Sequence, residues 1–479
     1  MMAREQHLVL SRTAPAEAPA RRYAGLRRHR RWWVPLLAAL LLAQMAATMV
    51  TTAVRQTPTI DEPVYVATAA DYLHQHRIRY NPEHPPLGKL LIAAGVAVAD
   101  PHYEPSYTGT QGDVGRHLLY ESGNDPWRVM LWARLPVIVL TLLFGLVALA
   151  FARELTGTAG GLVALALYAF SPDLIAHGSL ATLDVPAAGF VLTSAWLVWR
   201  ARRRPVRYLP LAGAALGAAV ATKMSALPAV PVLMALAAVS VLVAGRGREM
   251  PGPASVAAPV PPGEPEAGTG RVRRVLSALA GPAGTRGRAA RSAVANTPDA
   301  RPRETSPLLA HLTGSRWREG LSPLVGAVGS RRREGWRAIG GAVVVAVVAV
   351  AVVWAAYLAV DPRLRFSPAE PVPAVHGLRG RLVDLLPVPE AYRAGMRVQF
   401  GLEDQPWQGY LFGHLYTGSL WYYLPAALLV KTPLGLLALG AAGAVAVVAL
   451  RRQHLGVRGE DRADRDPLPL SAGQGGDRT

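Results

Sequence analysis

The stretch WWVPLLAALLLAQMAATMVTTAV, residues 32–54, settles what kind of protein this is. It carries no charge over 23 residues, enough to cross a hydrocarbon core of about 30 Å. It is too long for the apolar part of a signal peptide, and no small-residue cleavage site separates it from residues 55 onward. Beyond it, further apolar runs occupy residues 131–151, 155–170, 185–199, 208–222, 224–244, 338–360 and 424–450. Three are short for a span but rich in Ala and Gly, as closely packed bundle helices are. The reading is an all-α integral membrane protein with about eight transmembrane helices and two large outer loops.

Composition agrees. Half of the 479 residues are hydrophobic, yet the formal net charge is +19. Charge and apolarity are segregated along the chain, as in membrane proteins. A pI near 10.8 invites a nucleic-acid partner, but the basic residues are not interleaved with aromatics on one face, so no nucleic-acid partner is expected. The chain has no cysteine, which excludes disulfide and thiolate chemistry.

Charge also sets the topology. With both termini in the cytoplasm, the inner segments 1–31, 152–157, 200–207, 246–337 and 451–479 hold 36 of the 51 Lys and Arg residues. The expected organisation is then a basic tail (1–31), a transmembrane catalytic half (32–245) with a first outer loop at 55–128, a disordered cytoplasmic loop (246–337), a second transmembrane part (338–450) with an outer loop at 361–419, and a cytoplasmic tail (451–479). The 246–337 loop is dominated by Pro, Gly, Ala and Arg, which cannot bury a core. The two outer loops differ from it. They contain aromatics, His and 15 of the 32 acidic residues, and long ordered loops tend to carry function.

Candidate chemistry gathers on that outer side. Thr59-Ile60-Asp61-Glu62-Pro63 comes directly after the first span. Thr59 and Glu62 have the spacing of a capping box, and the acid pair equally suits a base for an attacking hydroxyl. In Asn81-Pro82-Glu83-His84-Pro85-Pro86-Leu87-Gly88-Lys89, the prolines predict an extended lead into a helix. Lys89 in its first turn either snorkels to the interface or meets a phosphate. Asp184 caps a helix in the ordinary reading. Arg134, Lys223 and Lys431 are cations at outer span ends, against the positive-inside trend, and each needs a reason. There is no HExxH, Walker loop, Gly-rich dinucleotide turn or serine elbow. An enzyme lacking a nucleotide fold needs a donor already in the lipid, and a polyprenyl-phosphate sugar fits.

These motifs resemble glycosyltransferase family 39, the protein O-mannosyltransferase and aminoarabinose-transferase group of the GT-C superfamily. The likeness rests on Asp61-Glu62, His84-Pro85-Pro86-Leu87-Gly88-Lys89, Ser171-Pro172…Thr182-Leu183-Asp184, and Tyr410-Leu411-Phe412-Gly413…Trp421-Tyr422-Tyr423-Leu424-Pro425…Leu429-Val430-Lys431-Thr432-Pro433. It covers roughly residues 33–245 and 338–450. It implies a GT-C-type helix bundle in the cell membrane and inverting transfer of a sugar, mannose being typical, from a polyprenyl-phosphate carrier to a hydroxyl on the outer face. The acceptor would be a secreted protein's Ser or Thr, or a glycan or lipid.

By the same resemblance Asp61 would be the base, Glu62 its support and Asp184 the further loop acid. Lys89 would meet the donor phosphate, and His84 belongs to the substrate loop. Arg134, Lys223 and Lys431 join as phosphate partners by charge alone. No cofactor is assigned: a divalent metal is compatible with clustered acids, and the resemblance implies no uniform requirement for one. Family members usually continue with more spans where this chain has a polar tail. A shortened non-catalytic scaffold and a lipid-linked-sugar transporter therefore stand as the alternatives.

Overall fold

The computed structural model describes residues 21–249 and 316–463. The polytopic helical membrane protein read from sequence is what forms, with one short hairpin added. Helices α1 (Arg21–Arg55), α5 (Pro126–Ala169), α9 (Ala229–Glu249) and α10 (Arg316–Val360) contain the longest apolar runs. Between α1 and α5 the first outer loop folds into α2 (Glu62–Gln75), α3 (Pro86–Ala99) and α4 (Gln111–Arg116). Then come α6 (Pro172–Gly178), α7 (Asp184–Ala201) and α8 (Pro205–Thr222). The second outer loop forms α11 (Gly377–Leu385) and α12 (Glu390–Glu403). It ends in the antiparallel hairpin β1 (Gln408–Leu411) and β2 (His414–Thr417), and after it come α13 (Tyr423–Lys431) and α14 (Leu434–Ala463).

By length and composition alone the span count is lower than eight. Among the described residues four helices are long and apolar enough to cross a membrane. A fifth forms if α13 and residues 434–449, bent by 112°, are taken together. The other three expected spans are the second arm of α5 and the 18-residue helices α7 and α8, whose charged ends dilute their apolar runs. Helix α5 has 44 residues, about 66 Å at 1.5 Å per residue, twice what one crossing needs. It breaks at Gly157 (φ 85°, ψ −176°), a conformation open to glycine. The break falls within the expected inner turn at 152–157 and separates two helical arms, as the two apolar runs at 131–151 and 155–170 lead one to expect.

Boundaries also move. Residues 316–337, expected as loop, are helical and continuous with the span at 338–360, and helices extend into both expected tails at 21–31 and 451–463. The remainder of the 246–337 loop, 250–315, and the outermost tails lie outside the described residues.

Four clusters form the core. One packs α2 and α3 against α5, with Ala181 and Leu183 from the turn before α7. Another joins the end of α8 to α10 and α12, with Tyr72 and Ile78 from the first loop. The others pack α7, α8, α9 and α10 together, and α1 against α5.

Two glycines mark where backbones meet. A Cβ on Gly88 would lie 2.5 Å from Leu183 Cδ2 and 2.9 Å from Thr222 Cγ2. Its absence lets the start of α3 seat against both the turn before α7 and the end of α8. A Cβ on Gly395 would meet the Pro82 carbonyl oxygen, so α12 lies directly on the first loop. The two outer loops are joined further by Ser367 N–H donating to Ile78 O (3.4 Å) and Ala369 N–H to Arg79 O (3.0 Å).

Candidate active site

The segment 59–63 is built around one buried acid. Helix α2 begins at Glu62 with Asp61 at its N-cap, and Asp61 makes no side-chain cap bond. The expected capping box is half formed: Thr59 N–H (2.9 Å) and Thr59 Oγ1–H (3.1 Å) both donate to Glu62 Oε2. Glu62 is fully buried, and its charge is answered by Arg134, also fully buried. Nε donates to Oε1 and Nη2 to Oε2, each at 2.7 Å. This bidentate pairing suits guanidinium and carboxylate. The remaining Arg134 protons go to the carbonyls of Ala53, Gln56 and Thr57. Ala181 N–H donates to Glu62 Oε1 at 2.8 Å. The pair therefore ties the end of α1, the start of α2, α5 and the turn leading to Asp184.

Lys89 is likewise consumed. Its ammonium, fully buried, donates to Asn81 O (2.7 Å), Asn81 Oδ1 (3.2 Å) and His84 O (2.7 Å). It closes the 81–89 string into a loop, and Asn81, at φ 53°, turns the chain there. Asn81 Nδ2–H then donates to Glu83 Oε1 at 2.8 Å. Neither snorkelling nor an open phosphate contact describes Lys89 here; all three of its protons are spent inside the protein.

What remains open surrounds a cavity of 660 Å³. Asp61, Glu83, His84 and Lys223 line one part of it, and Met224, Leu227, Met396 and Phe400 give it an apolar wall. Lys223 comes just after α8 and donates to Asp184 Oδ1 at 2.6 Å. Of the seven charged residues proposed from sequence, the structure brings three to this rim: Asp61, Lys223 and, through its ion pair, Asp184. Glu62, Arg134 and Lys89 stand behind it as packed, paired groups. Lys431, exposed at the end of α13, is not part of the cavity wall.

Burial holds the Asp61 carboxyl above its ordinary value; Lys223 opposes this, while Asp184, Glu83 and Glu62 add to it. The result is a better proton acceptor than a free carboxylate. His84 is pushed down to about 3, first by burial and then by Lys89 and Lys223, so its imidazole is neutral. Its Nδ1 is buried without a hydrogen-bond partner among the described residues. Also among the described residues, no three His, Asp or Glu side chains are grouped to hold a metal ion.

Helix α12 was absent from the sequence-based site. Met396, Gln399, Phe400 and Glu403 from it line the cavity, and the helical spacing of Ala391, Ala394, Val398 and Leu402 was the available signal. Glu83 lies within the 81–89 string, whose spacing assigns it no role.

Residues 38–246 match the dolichyl-phosphate-mannose-protein mannosyltransferase family. Over these residues the match bears out the resemblance and indicates glycosyltransferase chemistry in a multi-pass membrane protein; it does not extend to the expected likeness over 338–450 with its 410–433 motif. It takes in every candidate residue except Lys431. No curated protein and no solved structure matches the chain.

Proposed function

We propose that the 660 Å³ cavity is the site of an inverting transfer of mannose from a polyprenyl-phosphate carrier to a hydroxyl, on the outer face of the cell membrane, with both termini cytoplasmic. One observation carries this reading: Asp61, an acid with a raised pKa, shares a cavity wall with the cation Lys223 and an apolar face.

The acceptor O–H gives its proton to the Asp61 carboxylate as its oxygen bonds to the anomeric carbon. On the opposite side the bond from that carbon to the phosphate oxygen breaks, and the electron pair leaves with the polyprenyl phosphate. A single displacement inverts the anomeric centre. The departing phosphate gains charge, and donors preorganised around it lower the barrier. Lys223, Ser225, Gln399 and the neutral His84 imidazole are cavity side chains able to donate to it. Glu62 and Arg134 act as positioning residues, since their network fixes the backbone on both sides of Asp61 and ahead of Asp184.

The test is mannose transfer from radiolabelled polyprenyl-phosphate mannose in membranes, comparing wild type with Asp61→Asn. Loss of about 10²–10⁴-fold is expected when a general base is removed. Equal transfer by both forms rejects Asp61 as base, and absence of transfer by folded wild type rejects the donor assigned here.

A further inference from the structure

Helix α11 turns an apolar stripe away from the protein. Leu378, Leu382 and Leu385 are 74%, 56% and 79% exposed, and at about 100° per residue they fall within about 60° of arc. Gly380 and Val383, on the opposite side of the helix, are buried. Single exposed leucines are ordinary, but three on one face form a patch that marks an interaction surface.

The patch lies at membrane depth. Trp354 stands six residues before Val360, where the apolar span of α10 ends, and so about 9 Å inside it at 1.5 Å per residue. Its Nε1–H donates to Pro387 O at 2.9 Å, two residues past the end of α11. Leu386 and Val388 pack in the same cluster as Val353, Ala356, Tyr357 and Val360 of the span. The surface at Leu385 therefore continues the lipid-facing surface of α10, on which Leu358 is also exposed. A leucine exposed at this level meets acyl chains rather than water.

The charges around the stripe agree. Arg379 and Arg381 flank it on either side. Arg379 pairs with Asp404 at 3.5 Å, whereas Arg381 is exposed and makes no ion pair among the described residues. A leucine face bordered by cations suits a helix lying in the membrane interface, with its leucines toward acyl chains and its cations at lipid phosphates. Helix α11 also grips α12: Arg397 Nη2–H donates to Asp384 Oδ1 at 2.8 Å and Arg393 Nη1–H to Asp384 O at 3.4 Å. Helix α12 in turn brings Gln399 and Phe400 to the reaction cavity.

We infer that the Leu378–Leu382–Leu385 face of α11 inserts into the phospholipid leaflet on the cavity's side of the membrane, with Arg381 at its phosphates, and that this hold on the bilayer steadies α12.

The chain has no cysteine, so single labels can be placed without other changes. Leu382→Cys and, separately, Leu385→Cys carry a nitroxide in vesicles of phosphatidylcholine and phosphatidylglycerol. Collision with oxygen, which concentrates in lipid, is compared with collision with a water-soluble nickel chelate. Val347→Cys, 61% exposed within the α10 span, sets the lipid reference. Ala369→Cys, exposed on the second outer loop, sets the water reference.

Both α11 labels should favour oxygen over nickel several-fold more than Ala369→Cys does, approaching Val347→Cys, and Arg381→Cys should fall between the references. Nickel access equal to that at Ala369→Cys overturns the inference, because the stripe then faces water. Protection from both reagents overturns it too, because a protein surface, such as a second copy of this chain, then covers the stripe. Hydrogen exchange reads the hold on α12. Leu382→Ser combined with Leu385→Ser, both at exposed positions, should speed exchange across 390–403 in vesicles and leave α2 unchanged. Exchange equal to wild type rejects the hold on α12. None of these readouts requires sugar transfer, so they stand or fall apart from the reaction assigned to Asp61.

Discussion

Lys223 Nζ stands 2.6 Å from Asp184 Oδ1, an ion pair closed across 39 residues at the rim of the cavity that Asp61 lines. The pair ties the end of α8 to the start of α7 and sets the field in which Asp61 works. Among the influences on Asp61, Lys223 alone stabilises its charge, while Asp184, Glu83 and Glu62 oppose it.

That arrangement fixes the direction of a pH dependence. A base acts only when deprotonated, so transfer is lost as pH falls through the raised Asp61 value. Removing Lys223 as Lys223→Met takes away the stabilising cation, raises Asp61 further and moves the acidic limb of kcat/KM to higher pH. Glu83→Gln removes a negative neighbour and moves the limb lower. Loss of the cavity cation also lowers kcat/KM, by about 10²-fold or more if Lys223 meets the phosphate in the transition state. Limbs that coincide in all three proteins would show that a different group is titrating.

The Glu62–Arg134 pair predicts a stability effect of a different kind. Both side chains are fully buried, and nearly every polar atom is bonded. Arg134→Met leaves Glu62 charged without its partner and should cost about 3–5 kcal/mol, as breaking buried pairs does. Glu62→Leu combined with Arg134→Met removes both charges and should recover much of that loss. Thermal unfolding in detergent reads both. If the double variant is no more stable than the single one, the anchored carbonyls of Ala53, Gln56 and Thr57, rather than the ion pair, hold this corner.

The fold was legible because a span is mostly a matter of apolar length. The runs at 32–54 and 338–360 could hardly be anything else. The span count was less legible at α7 and α8, whose charged ends dilute apolar runs only 15 residues long, whereas the break at Gly157 falls where the sequence separates 131–151 from 155–170. The site was half legible. Sequence marks Arg134 and Lys223 alike as outer cations in need of a reason and leaves Lys89 between the interface and a phosphate, but it does not say which reason applies. Arg134 and Lys89 spend their protons on carbonyls and a carboxylate inside the protein, whereas Lys223 borders open space. That distinction depends on contacts such as Gly88 on Leu183 and Thr222, which no spacing rule supplies. The α12 wall was missed because its residues form no motif, and only the helical period within 361–419 betrays it.

His84 supplies a stability prediction. In the unfolded chain a histidine takes up a proton near pH 6.5, whereas folded His84 resists until about 3, chiefly through burial. Between these values the unfolded state binds the extra proton. Stability therefore declines as pH falls from about 6.5 toward 3 and rises with pH across the same window. His84→Phe keeps a ring to pack edge-on against Tyr65 and removes the proton. Its melting temperature should fall less steeply than that of wild type in this range. Parallel curves would place a charged His84 in the folded protein.

The last prediction concerns how the second outer loop reaches the cavity. Gly395 sits where α12 crosses the first loop, and a Cβ there would overlap the Pro82 carbonyl. Unlike a flexible side chain, this backbone cannot swing aside: Pro82 lies between Asn81 and Glu83, and Asn81 is held by Lys89. Gly395→Val should therefore push α12 outward, at a cost of about 1–3 kcal/mol, and carry Gln399 and Phe400 away from the Asp61 side. Transfer should drop by more than stability alone explains, with the rise in donor KM exceeding the fall in kcat, because α12 lines the cavity without bearing the base. Gly112→Ala, where the nearest atom to an added Cβ is 3.9 Å away, is the matched control and should leave both unchanged. A Gly395→Val protein with wild-type donor KM would mean that α12 is not part of the donor's wall.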